Sequence, residues 1–130
     1  MNSVAALEKE ISNPALTQLS EEEQLFRSSV REFAEGEVRP RVEKMERDAK
    51  LDQSLIKQCF ELGLMAIETP EEYGGAGSSF FNAILAIEEL ARVDASTSVF
   101  VDVQNTLVTN ALIRWGNDAQ KLKYLPQMAE

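Results

Sequence analysis

Ser79-Phe80-Phe81-Asn82-Ala83-Ile84-Leu85-Ala86-Ile87-Glu88-Glu89-Leu90-Ala91-Arg92-Val93 is apolar around almost its whole circumference. Phe80, Phe81, Ile84, Leu85, Ile87, Leu90 and Val93 leave no broad polar face, so this helix belongs at the centre of a bundle. Ser78 or Ser79 supplies its cap. Ser96 or Thr97 opens a second long segment through Trp115 that is again mostly apolar, and Gly116 ends it. Two inner helices of this kind predict an all-α bundle.

More polar helices should wrap that pair. Ser20 followed by Glu23 is a capping-box pattern, and Leu25, Phe26, Val30 and Phe33 recur at helical spacing behind it. Gly36 and Pro40 weaken this helix, and Val42 and Met45 carry a thinner stripe to about Asp48. Asp52 caps a helix through Leu55, Ile56, Cys59, Phe60 and Leu62 that Gly63 stops. Leu64-Met65-Ala66-Ile67 reads as a buried extended connector. Asn117 caps a last helix that Pro126 should end. The expectation is a five- to six-helix orthogonal or up-down bundle over 20–130, preceded by a flexible arm over 1–19 with one short helix around Leu7 and Ile11. The stop at Glu130, shortly after Pro126, reads as a cut within a longer protein.

The bulk composition excludes several classes. The net charge of −9 argues against a nucleic-acid partner and against an anionic membrane surface. No apolar run approaches the ~20 residues of a membrane span. Cys59 is the only cysteine, so no intrachain disulfide forms, and among apolar neighbours it reads as a small core residue. With no histidine, imidazole catalysis and histidine metal ligation are excluded within the chain. No carboxylates have supported metal-site spacing, so no metal is expected.

Three features could carry chemistry. Thr69-Pro70-Glu71-Glu72-Tyr73-Gly74-Gly75-Ala76-Gly77 holds three of the six glycines. It lacks a lysine and carries two glutamates, so it reads as a tight connector anchored by Tyr73 rather than a phosphate loop. Glu88 and Glu89 lie on the apolar helix, and pairing of Glu88 with Arg92 is the favoured reading over a proton-transfer role. Gln104, Asn105, Thr106, Thr109 and Asn110 lie on a helix that should be largely buried. Spacing leaves open whether they bond between helices or line a ligand cavity.

Leu19-Ser20-Glu21-Glu22-Glu23-Gln24, Val30-Arg31-Glu32-Phe33-Ala34, Pro40, Gly63-Leu64-Met65, Pro70 to Gly77, Glu88-Glu89-Leu90-Ala91, Gly116-Asn117 and Gln120-Lys121-x-Lys123-Tyr124-Leu125-Pro126 occur in one order. That series resembles the N-terminal helical domain of the FAD-dependent acyl-CoA dehydrogenases. Val93-Asp94-Ala95-Ser96 and Gln104-Asn105-Thr106-Leu107 are most similar to the short/branched-chain members. The resemblance covers residues 19–130.

The resemblance implies a helical domain followed by a central β-domain and a C-terminal helical bundle. It implies oxidation of an acyl-CoA to a trans-2-enoyl-CoA. A glutamate of the C-terminal part takes the α-proton, and the β-hydrogen leaves as hydride to FAD. Electrons then pass to an electron-transferring flavoprotein, and the enzyme is a homotetramer in the mitochondrial matrix or bacterial cytoplasm. No residue here matches the catalytic base, which is expected beyond Glu130, and no FAD-binding residue is assigned. The resemblance places Val99, Phe100 and Val103 on the wall of the acyl pocket, where bulky side chains would favour short or branched chains. The piece alone should be inactive. Two alternatives remain: a non-enzymatic helical interaction module built on the same fold, and an acyl-CoA oxidase.

Overall fold

The computed structural model describes residues 15–130. The short helix expected around Leu7 and Ile11, and most of the arm over 1–19, lie outside the described residues. Among those described, five continuous helical rods and no strand are present.

The first rod is α1 (Glu21–Phe33), a π turn over Ala34–Val38, a 3-10 turn over Arg39–Arg41, and α2 (Val42–Asp48). Ser20 and Glu23 close the expected capping box. Gly36 and Pro40 do not break the rod. Pro40 has no N–H to give the ladder, and the helix absorbs the defect by widening before it and tightening around it. Ala34 and Val38, in the widened turn, are fully enclosed. Leu25, expected on the inner stripe, instead points to solvent. The rod stops at Ala49, whose backbone is left-handed at φ 49°. Lys50 N–H closes the end on the Met45 carbonyl at 3.2 Å.

Asp52 caps α3 (Gln53–Glu61) by accepting from Ser54 N–H at 2.8 Å. Gly63, at φ 71°, ends it, and Leu64 N–H returns to the Cys59 carbonyl at 2.9 Å. Leu64 to Ile67 are buried as expected, but the segment runs through turns and bends rather than extended backbone. Its polar groups are met by the glycine loop. Ala76 N–H donates to the Ala66 carbonyl at 2.9 Å, and Ser78 N–H to the Ile67 carbonyl at 2.8 Å. A Cβ on Gly75 would lie 2.0 Å from the Thr69 carbonyl oxygen, so only glycine permits this approach.

Ser79 caps α4 (Phe80–Ala91), which packs against both α1 and α5 (Ala95–Asp102). Asp94, not Ser96 or Thr97, caps α5. Its carboxylate accepts from Thr97 N–H at 2.7 Å and from the Thr97 hydroxyl at 2.6 Å. A π segment over Val103–Thr109 joins α5 to α6 (Asn110–Trp115) as one rod. Asn117 and Gln120 box the start of α7 (Asp118–Ala129). Pro126 lies inside this helix instead of ending it. The missing N–H costs one ladder bond, but Leu125 is fully buried and the helix packs against the 3-10 turn Glu71–Tyr73. The core unites Val30, Phe33, Leu55, Met65, Leu90 and Val101.

Two substitutions test this account. Ala49→Gly should raise stability by about 1 kcal/mol in urea unfolding, because glycine adopts the left-handed backbone without a Cβ penalty. Gly75→Ala should lower it by about 3 kcal/mol or more, since backbone must move to admit the methyl.

Candidate functional site

The α5–π–α6 rod presents two opposed rows. Thr97, Val101, Asn105 and Thr109 are buried. Val99, Val103 and Leu107 are 56%, 39% and 64% exposed. Both rows step by four residues. On a regular α-helix such a row creeps around the axis by about 40° per step. The wider turn of Val103–Thr109 counteracts that creep, so one side stays inward and the other stays outward.

Of the residues expected at a pocket wall, Val99 and Val103 therefore lie together on the exposed row. Phe100 is half-buried and packs against the core behind them. Leu107 completes the row and was not singled out from the sequence. Its four-residue spacing from Val103 was the available signal, but a regular helical period would spread the three residues over about 80° and bring Phe100 close to Leu107.

The polar residues of this rod bond within the bundle. Asn105, fully buried, accepts from Ile67 N–H at 2.9 Å through Oδ1. Its Nδ2 donates to the Leu64 carbonyl at 2.7 Å and the Val101 carbonyl at 2.9 Å. The Thr109 hydroxyl donates to the Asn105 carbonyl at 2.9 Å, and Asn110 Nδ2 to the Glu68 carboxylate at 2.8 Å. Gln104 reaches the Met128 carbonyl at 3.3 Å, and the Thr106 hydroxyl donates to Asp102. These side chains bond to the 64–68 connector, to their own rod and, through Gln104, to α7.

Among the described residues the carboxylate that pairs is Glu89, not Glu88. Glu89 is 1% exposed and accepts from Arg27 Nε at 2.6 Å, and from Arg31 Nε and Nη2 at 2.8 Å each. Arg92 Nη1 stands 3.6 Å away, one turn along. The Arg31 hydrogen bonds, then those of Arg27, hold the Glu89 carboxyl at about 2 against the opposing effect of its burial. A group held so low is a fixed anion and not a proton carrier at neutral pH. Cys59 is fully enclosed, and burial pushes its thiol up to about 11, as befits a core residue.

A small hollow of about 100 Å³ lies between Phe26, Val30, Phe33, Leu62 and Leu64. It adjoins an open groove of about 460 Å³ edged by Glu32, Glu37 and Glu61. Neither suits a flavin nucleotide. The hollow is too small for the ring system, and the groove's carboxylates would repel a pyrophosphate. Among the described residues no cluster of His, Cys, Asp and Glu is arranged to hold a metal. None of their helices is long and apolar enough to cross a membrane.

A family model described as "Acyl-CoA dehydrogenase, N-terminal domain" matches residues 20–130. The chain belongs to the acyl-CoA dehydrogenase family. It is 43% identical over 130 residues to the mitochondrial short/branched chain specific acyl-CoA dehydrogenase of Bos taurus, an alignment covering 98% of this chain and 30% of the relative. Its fold matches a chain in the structure of the electron transferring flavoprotein of Acidaminococcus fermentans with a TM-score of 0.82 at 36% identity, covering 87% and 30% of the two chains. It matches glutaryl-CoA dehydrogenase of Mycobacterium smegmatis, solved in complex with FADH2, with a TM-score of 0.79 at 32% identity over 85% and 28%. The chain thus spans about 30% of the length of the bovine acyl-CoA dehydrogenase.

The Glu89 cluster yields a pH test for this acyl-CoA dehydrogenase domain. The folded pKa lies near 2, below the ordinary glutamate value of 4.5, so its stabilisation is present above pH 4.5 and lost as pH falls toward 2. The shift corresponds to about 3 kcal/mol. Glu89→Gln should therefore unfold at lower urea than the parent at pH 7, and the gap should close as the pH approaches 2.

Proposed function

We propose that this chain is the N-terminal part of a FAD-dependent acyl-CoA dehydrogenase that converts short or branched-chain acyl-CoA to trans-2-enoyl-CoA. The observation that carries this reading beyond family membership is the exposed row of Val99, Val103 and Leu107. A solvent-facing aliphatic row, backed on its own rod by the fully bonded amide of Asn105, is suited to contact the end of an acyl chain. In this reading Val99 and Val103 touch the chain, Leu107 extends the wall, and Phe100 supports it from the core side. The wall excludes water and sets the depth available to the substrate. A methylene that does not fit costs roughly 1–3 kcal/mol, or up to about 200-fold in specificity.

The catalytic base, the flavin and its cradle then belong to polypeptide outside residues 15–130. An electron-transferring flavoprotein would accept the electrons, and the complete enzyme would be a homotetramer. The mitochondrial matrix or a bacterial cytoplasm would house it. Trp115 at 85% exposure, with Leu122 also uncovered, supports a surface made to be covered by further polypeptide. The same feature would serve a free-standing helical interaction module. Light scattering separates the two, because a module forms a discrete complex where a severed enzyme domain aggregates.

In the full-length polypeptide, Val103→Ala and Leu107→Ala should each raise kcat/KM for hexanoyl-CoA relative to butyryl-CoA by about tenfold. Phe100→Ala should move the same ratio less. An unchanged chain-length profile in all three would remove this rod from the pocket. The 130-residue chain itself should purify without a flavin absorbance band and should not reduce an electron acceptor with butyryl-CoA.

A further inference from the structure

We propose that Arg27, Arg31 and Arg92 form a binding site for a small oxyanion of the phosphate or carboxylate class, prearranged by the buried Glu89. Three guanidinium groups from two helices converge on one carboxylate, at 2.6 Å, 2.8 Å and 3.6 Å. Glu89 has no capacity left to neutralise them all. Its Oε1 already accepts from Arg27 and Arg31, and its Oε2 accepts from Arg31. The neighbouring acid, Glu35, is engaged on both oxygens by Arg39. Glu88, exposed and one turn before Arg92, makes no ion pair among the described residues. Positive charge is thus in local surplus on a chain whose net charge is −9.

The donors for a second anion are present. Arg27 uses only Nε, Arg31 leaves Nη1 unused, and Arg92 makes no hydrogen bond among the described residues. These side chains are 36%, 47% and 60% exposed, so solvent reaches all three. Forked guanidinium donors match the paired oxygens of phosphate and carboxylate. An arginine on an open surface must surrender its freedom to grip an anion. Arg27 and Arg31 have surrendered it already to Glu89, which lowers the cost of binding. The site differs in kind from the apolar row on the α5–π–α6 rod, and it requires nothing of the acyl-CoA reading.

The test uses the 130-residue chain, diluted until light scattering shows no aggregate, with thermal unfolding and calorimetric titration in sodium phosphate, sodium acetate and sodium chloride at matched ionic strength. Phosphate or acetate should raise the midpoint by a few degrees over chloride, as expected for a ligand that binds only the folded state. Stronger binding of phosphate marks a tetrahedral oxyanion site, and stronger binding of acetate marks a carboxylate site. Arg92→Gln spares the Arg27–Glu89–Arg31 contacts and should leave the midpoint in chloride nearly unchanged. It should weaken binding of the preferred anion about fivefold or more. Arg92→Lys, which keeps the charge but loses the fork, should fall between the two. No excess stabilisation over chloride, or equal binding by parent and Arg92→Gln, would overturn the proposal.

Discussion

The three hydrogen bonds of Asn105 constrain the rest of the molecule. Irregular backbone enters the core at Leu64 to Ile67, where neither helix nor sheet can satisfy its polar groups. Asn105 takes the Ile67 N–H and supplies the Leu64 carbonyl from the middle of the opposing rod. An unpaired buried group of either kind costs about 1–3 kcal/mol, so the amide is bound to one orientation. That orientation fixes the rotation of the whole α5–π–α6 rod. The direction in which Val99, Val103 and Leu107 face follows from it.

Glu89 acts at the other side of the bundle. It joins α1, which brings Phe26, Val30 and Phe33 to the core, to α4, which brings Ala83, Ala86 and Leu90. A carboxylate gripped by two arginines from α1 fixes both register and angle. Such a cluster depends on completeness. Loss of Arg31, which gives two of the three hydrogen bonds, would leave the buried Glu89 carboxylate short of partners.

Much of the bundle was legible because helix periodicity and capping are local. Ser20 with Glu23, Asp52, Ser79 and Asn117 were each readable as caps, and each makes the expected bond. The misplacements arise where a remote contact overrides a local rule. Pro126 should end a helix, but burial of Leu125 and packing against the 71–73 turn hold the next turn in place. Glu88 and Arg92 have ideal spacing for a pair, yet α1 brings its arginines to Glu89, a partner 62 residues from Arg27. At the candidate site the rod's extent was legible but its facing was not. The π segment alters the period, and no residue type announces that change. Val99 and Val103 therefore share a face with Leu107 instead of with Phe100.

Complete enclosure of Cys59 gives the chain an internal reporter. A thiol with no solvent contact and a raised pKa resists alkylation while the fold is closed. Because it is the sole sulfhydryl, every modified molecule records one opening of the contact between α3 and its surroundings. The rate of labelling thus measures breathing of the native state directly, without denaturant and without an introduced probe.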